Sequence, residues 1–221
     1  INNVSVYEYR KRLGAELAKE THIESDLVIP VPDSGVPAAI GYAEKIKKTV
    51  ELGIIRNHYV GRTFIEPTQQ IRSFGVKLKH NINKSLVNNK TLILIDDSLV
   101  RGTTSVKIIK MLYEAGAKEV HLKIASPPIR YPDYYGVDTP NQNELLASKL
   151  DMEGMRKFIN ATTLQFLSIE GLYKSMGYEK RNSSYPQFTD HCFTGEYPVK
   201  PIDANDKDFI NDQPSLMSSK Y

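Results

Sequence analysis

Two adjacent carboxylates, Asp96 and Asp97, follow the apolar run Leu92 to Ile95 and precede a turn that reads Arg101-Gly102-Thr103-Thr104-Ser105. Neighbouring acids can divide the chemistry between them, one accepting hydrogen bonds from sugar hydroxyls while the other lies beside a magnesium ion, a hard cation that prefers oxygen ligands. The turn carries the opposite polarity. Gly102 lets a backbone approach closely, and Thr103, Thr104 and Ser105 supply hydroxyls and N–H groups at a helix start, where anions bind. The pattern predicts a site for a phosphorylated sugar. Alone, it is also compatible with a polar strand end and an ordinary helix cap.

Four apolar residues without polar alternation predict a strand buried on both faces, as in a parallel sheet, whose ligands sit at the strands' carboxyl ends. The following helix is expected from Val106 to Ala115, with Val106, Ile109, Leu112 and Tyr113 at helical spacing and Gly116 as its stop. Upstream, Val6 to Lys19 reads as an amphipathic helix and Leu27 to Val31 as a strand. That strand ends in Pro32-Asp33-Ser34-Gly35, a turn where Gly35 can take unusual dihedrals and exposed N–H groups can receive an anion; a plain β-to-α connection reads the same way. A helix from Pro37 to Ile46 and a strand from Glu51 to Ile55 continue an alternation that predicts a doubly wound, mainly parallel α/β fold.

Residues Tyr59 to Asn81 show no clear period, contain Gly61, Pro67 and Gly75, and make a connection long enough to be either a functional lid or a surface excursion. Arg62, Arg72, Lys77 and Lys79 within it, and Lys84 just beyond, concentrate positive charge in one stretch, which suits a diphosphate or a solvated basic face. Beyond Leu145, short amphipathic helices are expected at Asp151 to Ile159 and Ile169 to Met176. The domain is expected to span 1–198, with a poorly ordered polar tail over 199–221.

A chain of 221 residues with 40% hydrophobic content can bury one substantial core. Its net charge of +3 is too small to suggest nucleic-acid binding. The single cysteine, Cys192, forms no internal disulfide, and no run is apolar enough for a membrane span. A cytoplasmic protein is expected, and the start at Ile1 suggests a preceding segment in a longer product.

The segment LILIDDSLVRGTTS resembles the phosphoribosyl pyrophosphate (PRPP) motif of type I phosphoribosyltransferases. Together with VIPVPDSGVPAAIGYAE, ELGIIRNHYVGRTFIEPTQQIR, VKLKHN, KIASPPIRYPDYYGVDTP and CFTGEYP, it is similar from Ser5 to Pro198 to the synthetase half of the amidophosphoribosyltransferase family, two-domain enzymes of purine biosynthesis. The resemblance implies displacement of pyrophosphate from PRPP by ammonia, with Asp96 and Asp97 catalytic. It implies Mg2+ held near Ser34, Asp96 and Asp97, and PRPP contacts from Asp33, Ser34, Gly35, Arg62, Lys77, Ser98, Val100, Arg101, Gly102, Thr103 and Thr104. Tyr59 to Asn81 would close over the substrate and help pass ammonia. The implied partners are a glutaminase domain, absent from this stretch, and further copies of the chain.

Departures from that family are equally informative. Some members hold an iron–sulfur cluster on four cysteines, but Asp133, Pro186 and Thr189 stand here where those members have Cys, so no cluster is expected. Cys192 reads as an ordinary buried residue, and none of the five histidines is assigned a catalytic role. Two other functions remain compatible with the fold: a PRPP-sensing regulatory module and a base-salvage phosphoribosyltransferase. The missing DNA-binding element weighs against the first; the VGRTFIEPTQQIR and CFTGEYP segments weigh against the second.

Overall fold

The computed structural model describes residues 3–21, 23–57, 80–137, 139, 141–184 and 186–199. Within them the chain runs α1 (Val6–Glu20), β1 (Leu27–Pro30), α2 (Val36–Lys45), β2 (Ile54–Arg56), β3 (His80–Ile82), α3 (Lys84–Val87), β4 (Thr91–Asp96) and α4 (Thr103–Glu114). It continues through β5 (Glu119–Ile124), α5 (Leu146–Lys149), α6 (Met152–Ile159), β6 (Thr163–Phe166), α7 (Ile169–Ser175) and α8 (His191–Thr194). Four strands form a parallel sheet in the order β1-β4-β5-β6.

The uninterrupted apolar run explains β4's interior position. Leu92 and Leu94 join a core on one face with Ile108, Ile109, Leu112 and Met155, whereas Ile93 and Ile95 join a second core with Leu17, Ala38, Ala39 and Tyr42. Each side chain buried this way contributes about 1.5–3 kcal/mol. The two faces are covered by different helices, which is the doubly wound arrangement expected from the sequence.

On one face α1 and α2 cross in backbone contact. A Cβ on Gly14 would collide with the Ala38 carbonyl, and one on Gly41 with the Lys11 carbonyl. Ser5 caps α1 by accepting from Glu8 N–H at 3.1 Å, and Glu20 at its other end accepts from the Ser168 N–H at 3.0 Å, tying α1 to the start of α7.

Several expectations shift. Where a strand of the main sheet is expected over Glu51–Ile55, the chain instead forms β2 at Ile54–Arg56, in a separate antiparallel pair with β3, Ile54 opposite Ile82. Asn81, expected within the long loop, belongs to β3. The main helix starts at Thr103, earlier than Val106, because Gly102 adopts φ 76 and turns the chain directly into it. Between the two expected C-terminal helices lies β6, the fourth strand of the sheet, so this region completes the sheet as well as covering it. Most of the Tyr59–Asn81 segment, including Arg62, Arg72, Lys77 and Lys79, and the tail from residue 200 lie outside the described residues.

Candidate active site at the strand ends

Because β4 is central, the residues at its carboxyl end are held by both neighbours: Pro30 of β1 is in register with Ile95, and Asp96 with Ile124 of β5. The main chain leaves the sheet here into a cleft of about 410 Å³ lined by Ser34, Asp96, Asp97, Ser98, Val100, Arg101, Gly102, Thr103 and Thr104 from the predicted set. Ser105, Leu99, Arg56 and His80 line it as well. Segments distant in sequence thus meet at one opening, as the parallel-sheet rule requires.

The two acids differ in setting. Asp96 is 7% exposed and its Oδ1 accepts the Asp97 N–H at 2.9 Å. Burial, followed by the neighbouring Asp97 charge, pushes its carboxyl up to about 8. Asp97 is more open. Its Oδ1 accepts the Ser98 hydroxyl at 3.2 Å, and its Oδ2 lies 4.0 Å from the Arg10 guanidinium of α1. A buried carboxyl held above its ordinary range beside a second acid favours a ligand that brings positive charge.

Opposite polarity faces the acids across the cleft. The first-turn N–H groups of α4 have no intrahelical acceptors, and Gly102, in the left-handed region, delivers them to the opening. A side chain there would also meet Leu146 and Phe158. Thr103 and Thr104 are exposed in this first turn, while Ser105 is buried. The arrangement suits a dianionic phosphate at the helix start and hydroxyl groups at the acids.

The turn after β1 forms the remaining wall, with a cis peptide between Pro32 and Asp33. Gly35 sits at φ −75, an ordinary helical value. It is required for space instead of dihedral freedom, since a Cβ would lie 2.5 Å from the Ile95 carbonyl. Gly35 therefore fits the turn onto the end of β4. Asp33 is held in an ion pair at 2.6 Å by Arg56 of the cleft wall, and neither Asp33 nor Gly35 itself lines the cleft. Arg101 lines it but carries its guanidinium to Glu144 at 2.7 Å, an exposed pair.

Arg56, His80 and Arg10 were not among the sequence candidates. Arg56 ends a short apolar strand, a position from which a charge could have been suspected. His80 is buried opposite it in the β2–β3 pair, and its role in the cleft wall follows from that pairing alone. Arg10 gives no local signal at all. Cys192 also differs from expectation: it is half-buried beside Asp133 and His191, and burial together with Asp133 pushes its thiol up to about 11.

Among the described residues no helix is long and apolar enough to cross a membrane. Comparison with known proteins gives a consistent result. The family model of the phosphoribosyl transferase domain matches residues 5–126. The chain is 56% identical over 216 residues to an amidophosphoribosyltransferase of Rhizobium etli, covering 97% of this chain and 44% of that protein. It is 50% identical over 200 residues to one of Bacillus subtilis, covering 90% and 42% respectively. A solved structure of the B. subtilis glutamine PRPP amidotransferase, complexed with ADP and GMP, superposes with a TM-score of 0.80 at 50% identity over 90% of this chain and 44% of that one. The chain therefore spans less than half the length of these relatives. With the strand, the acid pair and the helix start assembled as that domain requires, the chain belongs to the phosphoribosyl transferase domain family.

Proposed function

We propose that this chain is the phosphoribosyl-transferring half of an amidophosphoribosyltransferase, in which ammonia displaces pyrophosphate from C1 of PRPP to give 5-phosphoribosylamine, opening purine synthesis. The observation that carries this reading is the placement of Asp96 and Asp97 above the first turn of α4 in one cleft, in a chain 56% identical to a relative of that name. In the complete enzyme a glutaminase domain would supply the ammonia, copies of the chain would assemble, and the setting would be cytoplasmic.

In this reading the N–H and hydroxyl groups of Gly102, Thr103 and Thr104, with Ser98, Val100 and Arg101 beside them, receive the 5-phosphate. The carboxylates of Asp96 and Asp97 take the ribose hydroxyls and stabilise positive charge developing on the ring as the C1–O bond breaks. Ser34 of the cleft wall holds the departing diphosphate, with Asp33 and Gly35 shaping its turn from outside the cleft and Arg62 and Lys77 joining from the segment outside the described residues. Ammonia brings its own electron pair, so no covalent protein nucleophile is needed; the chain contributes positioning and the exclusion of water.

The donors also fit Mg2+. Ser34, Asp96 and Asp97 present hard oxygen atoms to one cleft, and the raised Asp96 carboxyl would ionise readily only against added positive charge. A magnesium ion held there would supply positive charge against the leaving diphosphate.

The test is pyrophosphate release from PRPP with magnesium, using ammonia and purine bases in parallel. Release with ammonia, none with bases, and its loss in Asp96→Asn/Asp97→Asn is the expected result. Equal rates in the double variant would sink the role of the acid pair; release driven by a base would replace the reaction with salvage, and binding without turnover with sensing.

A further inference from the structure

Away from the cleft, Asp133, His191 and Cys192 bring three different metal-ligating atoms within 4.8 Å of one another. We infer that they form a mononuclear zinc site that clasps the turn after β5 to the C-terminal segment. This site is independent of the reaction proposed above, because none of its residues lines the cleft.

The donors are placed by backbone contacts that exist without an ion. Arg130 and Tyr131 both donate their N–H groups to the Cys192 carbonyl, at 2.9 and 3.1 Å. Asp133 is oriented by Tyr135 N–H at 2.7 Å and Val137 N–H at 3.2 Å, both on Oδ1. Oδ2 is thereby left to face His191 Nε2 at 2.8 Å and Cys192 Sγ at 3.8 Å. A tetrahedral zinc with bonds of about 2.0–2.3 Å would hold N and O roughly 3.4 Å apart and S and O roughly 3.6 Å apart. Opening the first pair and closing the second by a few tenths of an ångström reaches that geometry.

The surroundings suit a fixed ion. The side chains of His191 and Asp133 are 4% and 9% exposed, and Tyr135 packs edge-on against the imidazole with ring centroids 4.9 Å apart. Nδ1 of His191 has no hydrogen-bond partner among the described residues, so moving the ring proton from Nε2 to Nδ1 breaks no existing bond at Nδ1. The histidine then remains neutral while its Nε2 lone pair meets the ion. At sulfur the S–H bond is exchanged for a Zn–S bond, and the proton goes to water. One carboxylate and one thiolate balance the dication, and three protein ligands leave a fourth position for water. One thiol is too few for an iron–sulfur cluster, but Cys, His and Asp together form a zinc donor set.

The experiment uses the protein at its full natural length, stripped with a chelator and dialysed against Zn2+, with Co2+ as the spectroscopic probe. Expected are one zinc per chain and a tetrahedral Co2+ spectrum with a thiolate-to-cobalt band. Cys192→Ser should abolish that band, weaken zinc binding by at least about 100-fold, and remove the zinc-dependent rise in Tm. Because Cys192→Ser is nearly isosteric, His191→Ala serves as a second variant, expected to lose the ion with no change in PRPP binding. Failure of the stripped protein to take up zinc at micromolar free metal overturns the site. Equal uptake by the wild type and Cys192→Ser overturns it too, by locating the ion elsewhere.

Discussion

Asp96 and Asp190 are both aspartates, 7% and 4% exposed, yet the molecule treats them in opposite ways. Asp190 joins the C-terminal segment to α7. It accepts Arg181 Nε at 2.6 Å and the Tyr173 hydroxyl at 2.8 Å, and Thr194 adds a third donor at 3.2 Å. Burial pushes its carboxyl up, but these donors outweigh burial and hold it below the usual carboxylate range. Asp96 has one backbone N–H and a like charge for a neighbour, and stands near 8. A buried acid with its partners supplied joins segments; one left short of partners awaits a ligand.

The largest effect should come from breaking the satisfied acid. Arg181→Met leaves Asp190 buried with its two hydroxyl donors but without its counter-charge, and urea denaturation should show a loss of about 3–5 kcal/mol. PRPP binding per folded molecule should be unchanged; if stability barely moves, the contrast fails. Slightly smaller in free energy, Asp97→Asn should slow ammonia-dependent turnover by about 100–1000-fold with normal folding, the scale of removing a group that stabilises transition-state charge.

The two acids should also give pH profiles of opposite sign, read in chelator to keep cations from Asp96. An unfolded aspartate titrates at about 3.9, so between there and about 8 the folded chain keeps a proton on Asp96 that the unfolded chain releases. Its contribution therefore lowers stability as pH rises through that window, and Asp96→Asn should flatten the decline. Asp190, held low, works the other way: it stabilises above the ordinary carboxylate range, and that stability is lost as pH falls below it. A single slope shared by wild type and both Asn variants would erase the distinction. The smallest effect is expected at the exposed Arg101–Glu144 pair, where Glu144→Ala should change stability by under about 1 kcal/mol. It should free Arg101, measured as altered PRPP affinity.

Asp96, Asp97 and Gly102 to Thr104 were legible because strand, turn and helix start are contiguous, and local sequence fixes their order. Arg56 and His80 reach the same opening from other segments, and Arg10 comes within 4.0 Å of Asp97 from α1, so only the packed fold reveals them. Strand β5 escaped notice because His121 and Lys123 alternate with Val120, Leu122 and Ile124, a pattern that reads as one solvated face. The structure buries Lys123 completely, with its ammonium donating to Thr21 and Gln165 at 2.5 Å. Burial lowers that ammonium to about 8. Strand β6 is four residues between two helices, too short for its period to register. Gly35 was found, but for the wrong reason: a glycine required by a neighbouring carbonyl looks in sequence like one required by its dihedrals.

The crossing of α1 over α2 extends the site's reach beyond the residues that touch it. Arg10 lies one helical turn before Gly14, on the stretch of α1 whose separation from α2 leaves no room for a methyl group. A methyl added at Gly14 or Gly41 would lift that stretch and carry the guanidinium away from Asp97. Sequence drift at two glycines far from the opening is thus constrained by the charge balance inside it, and a family of variants would inherit that constraint as a pair.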